Sequence, residues 1–143
     1  QTRLMTQEYH QVRPQDVQHN WELFAALIHK AMTKSRQEEY TLQGCYERLV
    51  YNQWQLFVIL KNEELESIVV TSVLPFDLCC YLNVIFVAGV GDKKVDIGYM
   101  DKSLKEIAVS FKCDRLIGGG RKGWQKALNK FGWKDLNLVV KEL

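Results

Sequence analysis

Four cysteines, three histidines and a lysine-rich C-terminal third are the side chains whose types could do chemistry in this sequence. Cys79 and Cys80 are adjacent in a strand-like run, Cys45 lies in a helical pattern, and Cys113 follows a second helical stretch. A structural zinc site needs closely spaced ligand pairs, and no Cys-x-x-Cys spacing occurs. His10, His19 and His29 stand at the other end of the chain from those thiols. Neighbouring strand residues point to opposite faces, so Cys79 and Cys80 do not serve one metal or one disulfide. Reduced, mostly buried thiols are the expectation. Cys79 or Cys80 beside His29 would make a thiol nucleophile with its base, but no pattern brings them together.

Charge is distributed unevenly. Gln1 to Asp92 carries 7 Lys+Arg against 11 Asp+Glu, and Lys93 to Leu143 carries 12 against 6. Such a split predicts one basic face, suited to an anionic ligand or an acidic protein surface. Arg115, Arg121, Lys122, Lys126, Lys130 and Lys134 are its members, and the spacing of Lys122, Lys126 and Lys130 makes one row on a helix. Trp124 and Trp133 occupy core-facing positions, so the patch lacks the exposed aromatics of a nucleic-acid platform, and nucleic acid is not the expected partner.

These residues need a scaffold, and the chain is long enough for one. Its 143 residues fit a single domain, 1–143, with 47% hydrophobic and 25% charged residues, an ordinary globular balance. The longest apolar run, Val84 to Val90, suits one buried strand and falls far short of the ~20 residues a membrane span needs. Nothing at the N-terminus resembles a secretory signal, which points to an intracellular protein.

Tyr9 to Val12 reads as a strand. Arg13-Pro14-Gln15-Asp16 starts a long helix with Val17, Trp21, Phe24, Ile28 and Ala31 on one face. Thr33 to Tyr40 reads as a connection, and Thr41 caps a second helix carrying Leu42, Cys45 and Leu49. Trp54 to Leu60, Ser67 to Leu74 and Cys79 to Val87 form a three-strand meander, turning at Lys61 to Glu64 and at Pro75 to Asp77. Met100, Leu104, Ile107, Ala108 and Phe111 mark a third helix. Arg115 to Gly118 is a short strand, Gly119 and Gly120 a turn, and Arg121 to Phe131 a last helix stopped by Gly132. Leu136, Leu138 and Val140 alternate in a closing strand.

That order resembles the GNAT (N-acetyltransferase) fold. Gly120-Arg121-Lys122-Gly123-Trp124, Phe131-Gly132-Trp133 and Leu138-Val139-Val140-Lys141-Glu142-Leu143 are similar to the end of the degenerate GNAT-like proteins of tailed bacteriophages. Thr41-Leu42 and Trp54-Gln55-Leu56 match that group as well. The resemblance implies an α/β fold with a mixed, twisted central sheet of six to seven strands and helices on both faces.

It also implies where acetyl-CoA would sit. GNAT enzymes hold the pyrophosphate on backbone N–H groups at the start of the third helix, in an Arg/Gln-x-x-Gly-x-Gly/Ala loop. Around Gly89-Val90-Gly91 the corresponding cofactor-binding residues are Val87, Gly89, Gly91, Lys93 and Lys94. Phe86 stands where Arg or Gln belongs, and Asp92, Asp96 and Asp101 bring negative charge that Lys93 and Lys94 offset. The family's tyrosine acid falls four residues before the helix-ending glycine, which here is Leu128. The family's asparagine near that helix start is Arg121. The fourth strand offers Asn83 but no carboxylate base, and Glu66 and Asp77 read as strand-end residues.

These departures from the family's pattern leave no catalytic residue and no required cofactor, and the cysteine spacing gives no metal site. Its leading function is contact with other phage or host proteins, in virion assembly or as an internal virion component, in the host cytoplasm or the virion. Two alternatives remain: an acetyl-CoA-dependent N-acetyltransferase with a diverged loop, and a host-directed inhibitor using the basic face.

Overall fold

The structure, a computed structural model, describes residues 4–119, 122–136 and 138–143. The alternating apolar stretches form strands β1 (Gln7–Val12), β2 (Gln55–Lys61), β3 (Glu64–Pro75), β4 (Cys80–Gly89) and β5 (Arg115–Gly118). They lie side by side in chain order. The first three pairings are antiparallel and β4–β5 is parallel. A parallel pair requires a crossover, which helix α4 (Ile97–Ser110) supplies.

Helices cover both faces. Helices α1 (Pro14–His19), α2 (Trp21–Ser35) and α3 (Leu42–Val50) bury Val17, Phe24, Ile28 and Leu49 against Leu56, Ile68, Val70 and Phe86. On the other face α4 and α5 (Lys122–Asn129) pack on Phe57, Ile59, Val69, Leu82 and Val84, with Met100, Leu104 and Ile107 fully buried. Each face is a separate apolar cluster, so β2 is covered on both sides, as its unbroken apolar run requires.

Three expectations are corrected. The first helix is two, broken at Asn20, whose side-chain amide donates to the Asp16 carbonyl at 2.9 Å. That bond competes with the helical ladder, and the apolar stripe crosses the break unaltered, so periodicity does not reveal it. Among the described residues the sheet has five strands rather than six or seven. The closing strand at Leu136 to Val140 is absent from the described residues: Leu136, Leu138 and Val140 are 70%, 90% and 86% exposed. Alternation gives a segment two faces, but a strand also needs a neighbouring edge, and among the described residues no strand pairs with this one.

Local sequence explains the remaining joints. Thr41 Oγ1 accepts the Gly44 N–H at 2.9 Å and caps α3 as expected. Asn62 and Glu63 take φ of 52° and 66°, a left-handed pair that closes the β2–β3 hairpin. At the end of α5, Trp133 N donates to Leu128 O and Gly132 N to Asn129 O, with Gly132 at φ 88°. Those two bonds are the Schellman motif, and they account for Gly132. Trp133 Nε1 then donates to Asp101 Oδ1 at 2.8 Å, and the Phe131 ring lies against Gly98. Phe131-Gly132-Trp133 is thus a latch holding the end of α5 on the first half of α4.

Candidate functional site

Two irregularities in the sheet prepare the region where β4 and β5 part. Ile59 pairs with Ser67 and Leu60 with Leu65, so Glu66 is the extra residue of a bulge in β3. Val70 pairs with Phe86 and Thr71 with Val84, which makes Ile85 the extra residue in β4. Beyond its last pairing, Val84 with Gly118, β4 continues to Gly89 without β5. A Cβ on Gly118 would meet Val84 Cβ at 3.3 Å, so the strands touch there before they diverge.

The crevice that opens is small. It measures about 80 Å³, and Val84, Val87, Gly119, Trp124, Leu128 and Trp133 line it. Small-molecule sites usually enclose ~300–1,000 Å³. The two tryptophans reach the wall from α5 and its latch. Leu128 stands in the wall where the resemblance would put a tyrosine acid, and it offers no proton.

Next to the crevice, the loop from Gly89 to Asp96 leads into α4 and borders a depression of about 440 Å³. Of the five expected cofactor-binding residues, Gly89, Gly91, Lys93 and Lys94 meet here, joined by Lys30, Lys34 and Asp92, whereas Val87 faces the crevice instead. The loop's glycines serve the chain itself. A Cβ on Gly89 would sit 2.5 Å from the Lys93 carbonyl oxygen, and Gly91 adopts φ 57°. Lys30 Nζ donates to Gly89 O and Gly91 O, both at 2.7 Å. Lys93 turns away: its Nζ donates to Leu65 O at 3.2 Å and lies 3.5 Å from Glu64 Oε2.

The start of α4 shows where an anion would have to bind. Because the helix begins at Ile97, the expected six-residue pattern falls on Lys93-Lys94-Val95-Asp96-Ile97-Gly98, later than the Gly89-Val90-Gly91 placement. Asp96 occupies its first glycine position. Its Oδ1 accepts the Tyr99 N–H at 3.1 Å, and its Oδ2 accepts Gln7 Nε2 at 2.9 Å from β1. The Tyr99 N–H and then the Gln7 amide hold this carboxyl below its usual range, so it is ionised at neutral pH. Other loop amides are also engaged. Val90 N donates to Glu66 O, Lys93 N to Val90 O, and Asp96 N to Glu66 Oε1 at 3.3 Å.

Glu66 is therefore not a strand-end residue. It is 4% exposed within β3 and supports the loop. Asp77 is exposed in the β3–β4 turn, and Asn83 Nδ2 faces Ser72 Oγ at 3.4 Å. The residues present do not fit acetyl-CoA in the expected way. The protein's own carboxylate sits at the N-terminus of the helix, where the pattern has a glycine.

Elsewhere, Lys126, Lys130 and Lys134 are exposed as the basic row requires, while Arg121 and the Lys122 side chain lie outside the described residues. Arg115 is exposed and stacks over Tyr81 at 5.7 Å. The cysteines are free, and Cys80 Sγ lies 3.2 Å from Cys113 Sγ, a proximity that spacing along the chain does not reveal. Among the described residues no group of three or more His, Cys, Asp or Glu is placed to hold a metal, and no helix is long and apolar enough to cross a membrane.

No family model and no curated protein matches the sequence. Solved structures match it across nearly its whole length. A possible acetyltransferase from Clostridium difficile 630 superposes with a TM-score of 0.71 at 9% identity, covering 96% of both chains. A predicted acetyltransferase from Clostridium acetobutylicum, solved with acetyl-CoA, gives 0.69 at 10% identity, again with 96% of both chains. A ribosomal-protein-alanine N-acetyltransferase from Brucella melitensis biovar Abortus 2308 gives 0.70 at 12%, covering 96% of this chain and 100% of that one.

Proposed function

For a chain whose fold is that of the GNAT acetyltransferases, we propose a role in protein–protein contact rather than acetyl transfer. Its setting is that of the tailed-phage proteins its C-terminal residues resemble: virion assembly, or a place inside the virion. One observation carries the non-catalytic part of this reading. The Asp96 carboxylate sits on the N-terminus of α4, accepting the Tyr99 N–H that a pyrophosphate would otherwise take. A second anion there would meet a like charge in contact, and the positive end of the helix is already satisfied. The absence of a proton donor at Leu128 agrees with it.

The contact part rests on surface chemistry. Leu138, Val139 and Val140 are 90%, 96% and 86% exposed in succession, and Lys126, Lys130 and Lys134 are exposed as well. A run of that kind is the sort of surface that proteins bury against partners.

The alternative, a working N-acetyltransferase, draws support from the 440 Å³ depression, where Lys34 and Lys94 stand exposed beside Lys30. Isothermal titration with acetyl-CoA separates the two. Under the proposed function, the dissociation constant is weaker than ~100 µM, about −5.5 kcal/mol. Micromolar binding, or CoA retained through purification, overturns it.

A further inference from the structure

Cys80 opens β4 and is half-buried; Cys113 is buried in the turn between α4 and β5. Their sulfurs are 3.2 Å apart although the residues are 33 positions apart in sequence. The backbone around them is already clamped: Asp114 N donates to Cys80 O at 3.0 Å, and Cys80 N donates to Asp114 Oδ1 at 2.8 Å. Parallel pairing continues directly from there, Tyr81 with Arg115. A disulfide needs a sulfur separation of about 2.05 Å, so closing the gap takes a side-chain movement of roughly 1 Å and no strand displacement. Cys79 is also half-buried but precedes the strand, and the close sulfur pair is that of Cys80 and Cys113.

We propose that Cys80 and Cys113 form a reversible oxidation site, which a low-molecular-weight disulfide such as oxidised glutathione converts to an intramolecular disulfide. The Cys80 thiolate, the more accessible of the two, attacks one sulfur of the small disulfide. That S–S bond breaks, one small thiol leaves with the proton Cys80 gave up, and Cys80 is held as a mixed disulfide. Cys113 then attacks the Cys80 sulfur, the second small thiol leaves with the Cys113 proton, and the Cys80–Cys113 bond forms. Two protein thiols are oxidised and one small disulfide is reduced to two thiols.

The order follows from burial. Burial, and then the neighbouring Cys80, push the Cys113 thiol up to about 12, so it is protonated at neutral pH and reacts only once its partner sulfur is beside it. The bond would fix the start of the β4–β5 pairing, at the end opposite the Val84–Gly118 pair beyond which the crevice opens.

The test treats the folded full chain with an excess of oxidised glutathione, removes the glutathione, traps remaining thiols with an alkylating agent in denaturant so that the buried Cys45 is reached, and maps peptides by mass. The expected result is one cross-link, Cys80 to Cys113, with Cys45 and Cys79 alkylated. The same cross-link is expected in Cys79→Ser. Cys113→Ser should stop at a glutathione adduct on Cys80. On the unmutated chain, oxidation should raise the melting temperature by on the order of 10 °C, a readout that does not depend on any variant folding. Four alkylated thiols, a cross-link through Cys79, or a Cys80–Cys113 bond that appears only after urea unfolding would each overturn the proposal.

Discussion

The carboxylate of Asp96 satisfies a helix terminus and a β1 glutamine at once, so replacing it tests the proposed function directly. Asp96→Gly supplies the glycine of the expected pattern and frees the Tyr99 N–H. The expected outcome is a tenfold or larger gain in acetyl-CoA affinity by calorimetry, at a stability cost of about 1 kcal/mol in urea. Unchanged affinity would show that this carboxylate is not what excludes the cofactor. Charge can be separated from shape by Asp96→Asn, which keeps a capping oxygen but turns an amide toward Gln7. The folded carboxyl lies below its unfolded value, so its contribution is complete above the unfolded range and lost as pH falls through the folded value. Asp96→Asn should therefore be destabilised at pH 7, and the difference should close below about pH 4. Asp96 was legible in the sequence as misplaced negative charge. Its role as helix cap is not legible there, because Gly89-Val90-Gly91 are the more conspicuous glycines and the start of α4 at Ile97 is set by the fold.

Between elements, the latch from α5 to α4 offers the sharpest experiment. Asp101 is 3% exposed, and its two oxygens face Trp133 Nε1 at 2.8 Å and Lys105 Nζ at 3.3 Å. Trp133→Phe preserves much of the ring and deletes the N–H, leaving a buried carboxylate oxygen without its donor. Denaturation should show a loss of about 1–3 kcal/mol, and amide exchange in Lys122–Asn129 should quicken more than in β2 or β3. Equal protection of α5 in both proteins would mean that packing alone holds it. The elements themselves were largely readable: the Thr41 cap, the meander and the Gly132 stop all appear where local chemistry puts them. Features set by tertiary partners were not. The bulges at Glu66 and Ile85 depend on the register of two strands, and the fate of Leu136 to Val140 depends on whether an edge lies beside it.

At the scale of the whole molecule, the uneven charge and the exposed C-terminal residues make opposite predictions about how a partner is held. Lys126 in the last turn of α5 and Lys130, the residue after the helix, are both exposed, as a steering surface needs. Reversing both to Glu removes four units of charge from one face while touching no buried residue, so stability should change by less than about 0.5 kcal/mol. Leu138→Asp and Val140→Asp together also alter only exposed positions, and they should be equally silent in denaturation. Their effects on partner capture should differ in kind. Charge reversal should lower the association rate with an acidic partner and flatten its salt dependence, because long-range attraction acts before contact. The aspartate pair should leave that dependence in place and speed dissociation, because apolar burial acts after contact. Under the proposed phage role, pull-down from infected cells at low and high salt, followed by rate measurements on the protein recovered, distinguishes the two. Capture that both variants perform as well as the unmutated chain would place the contact surface elsewhere and leave the basic row as solvated helix face.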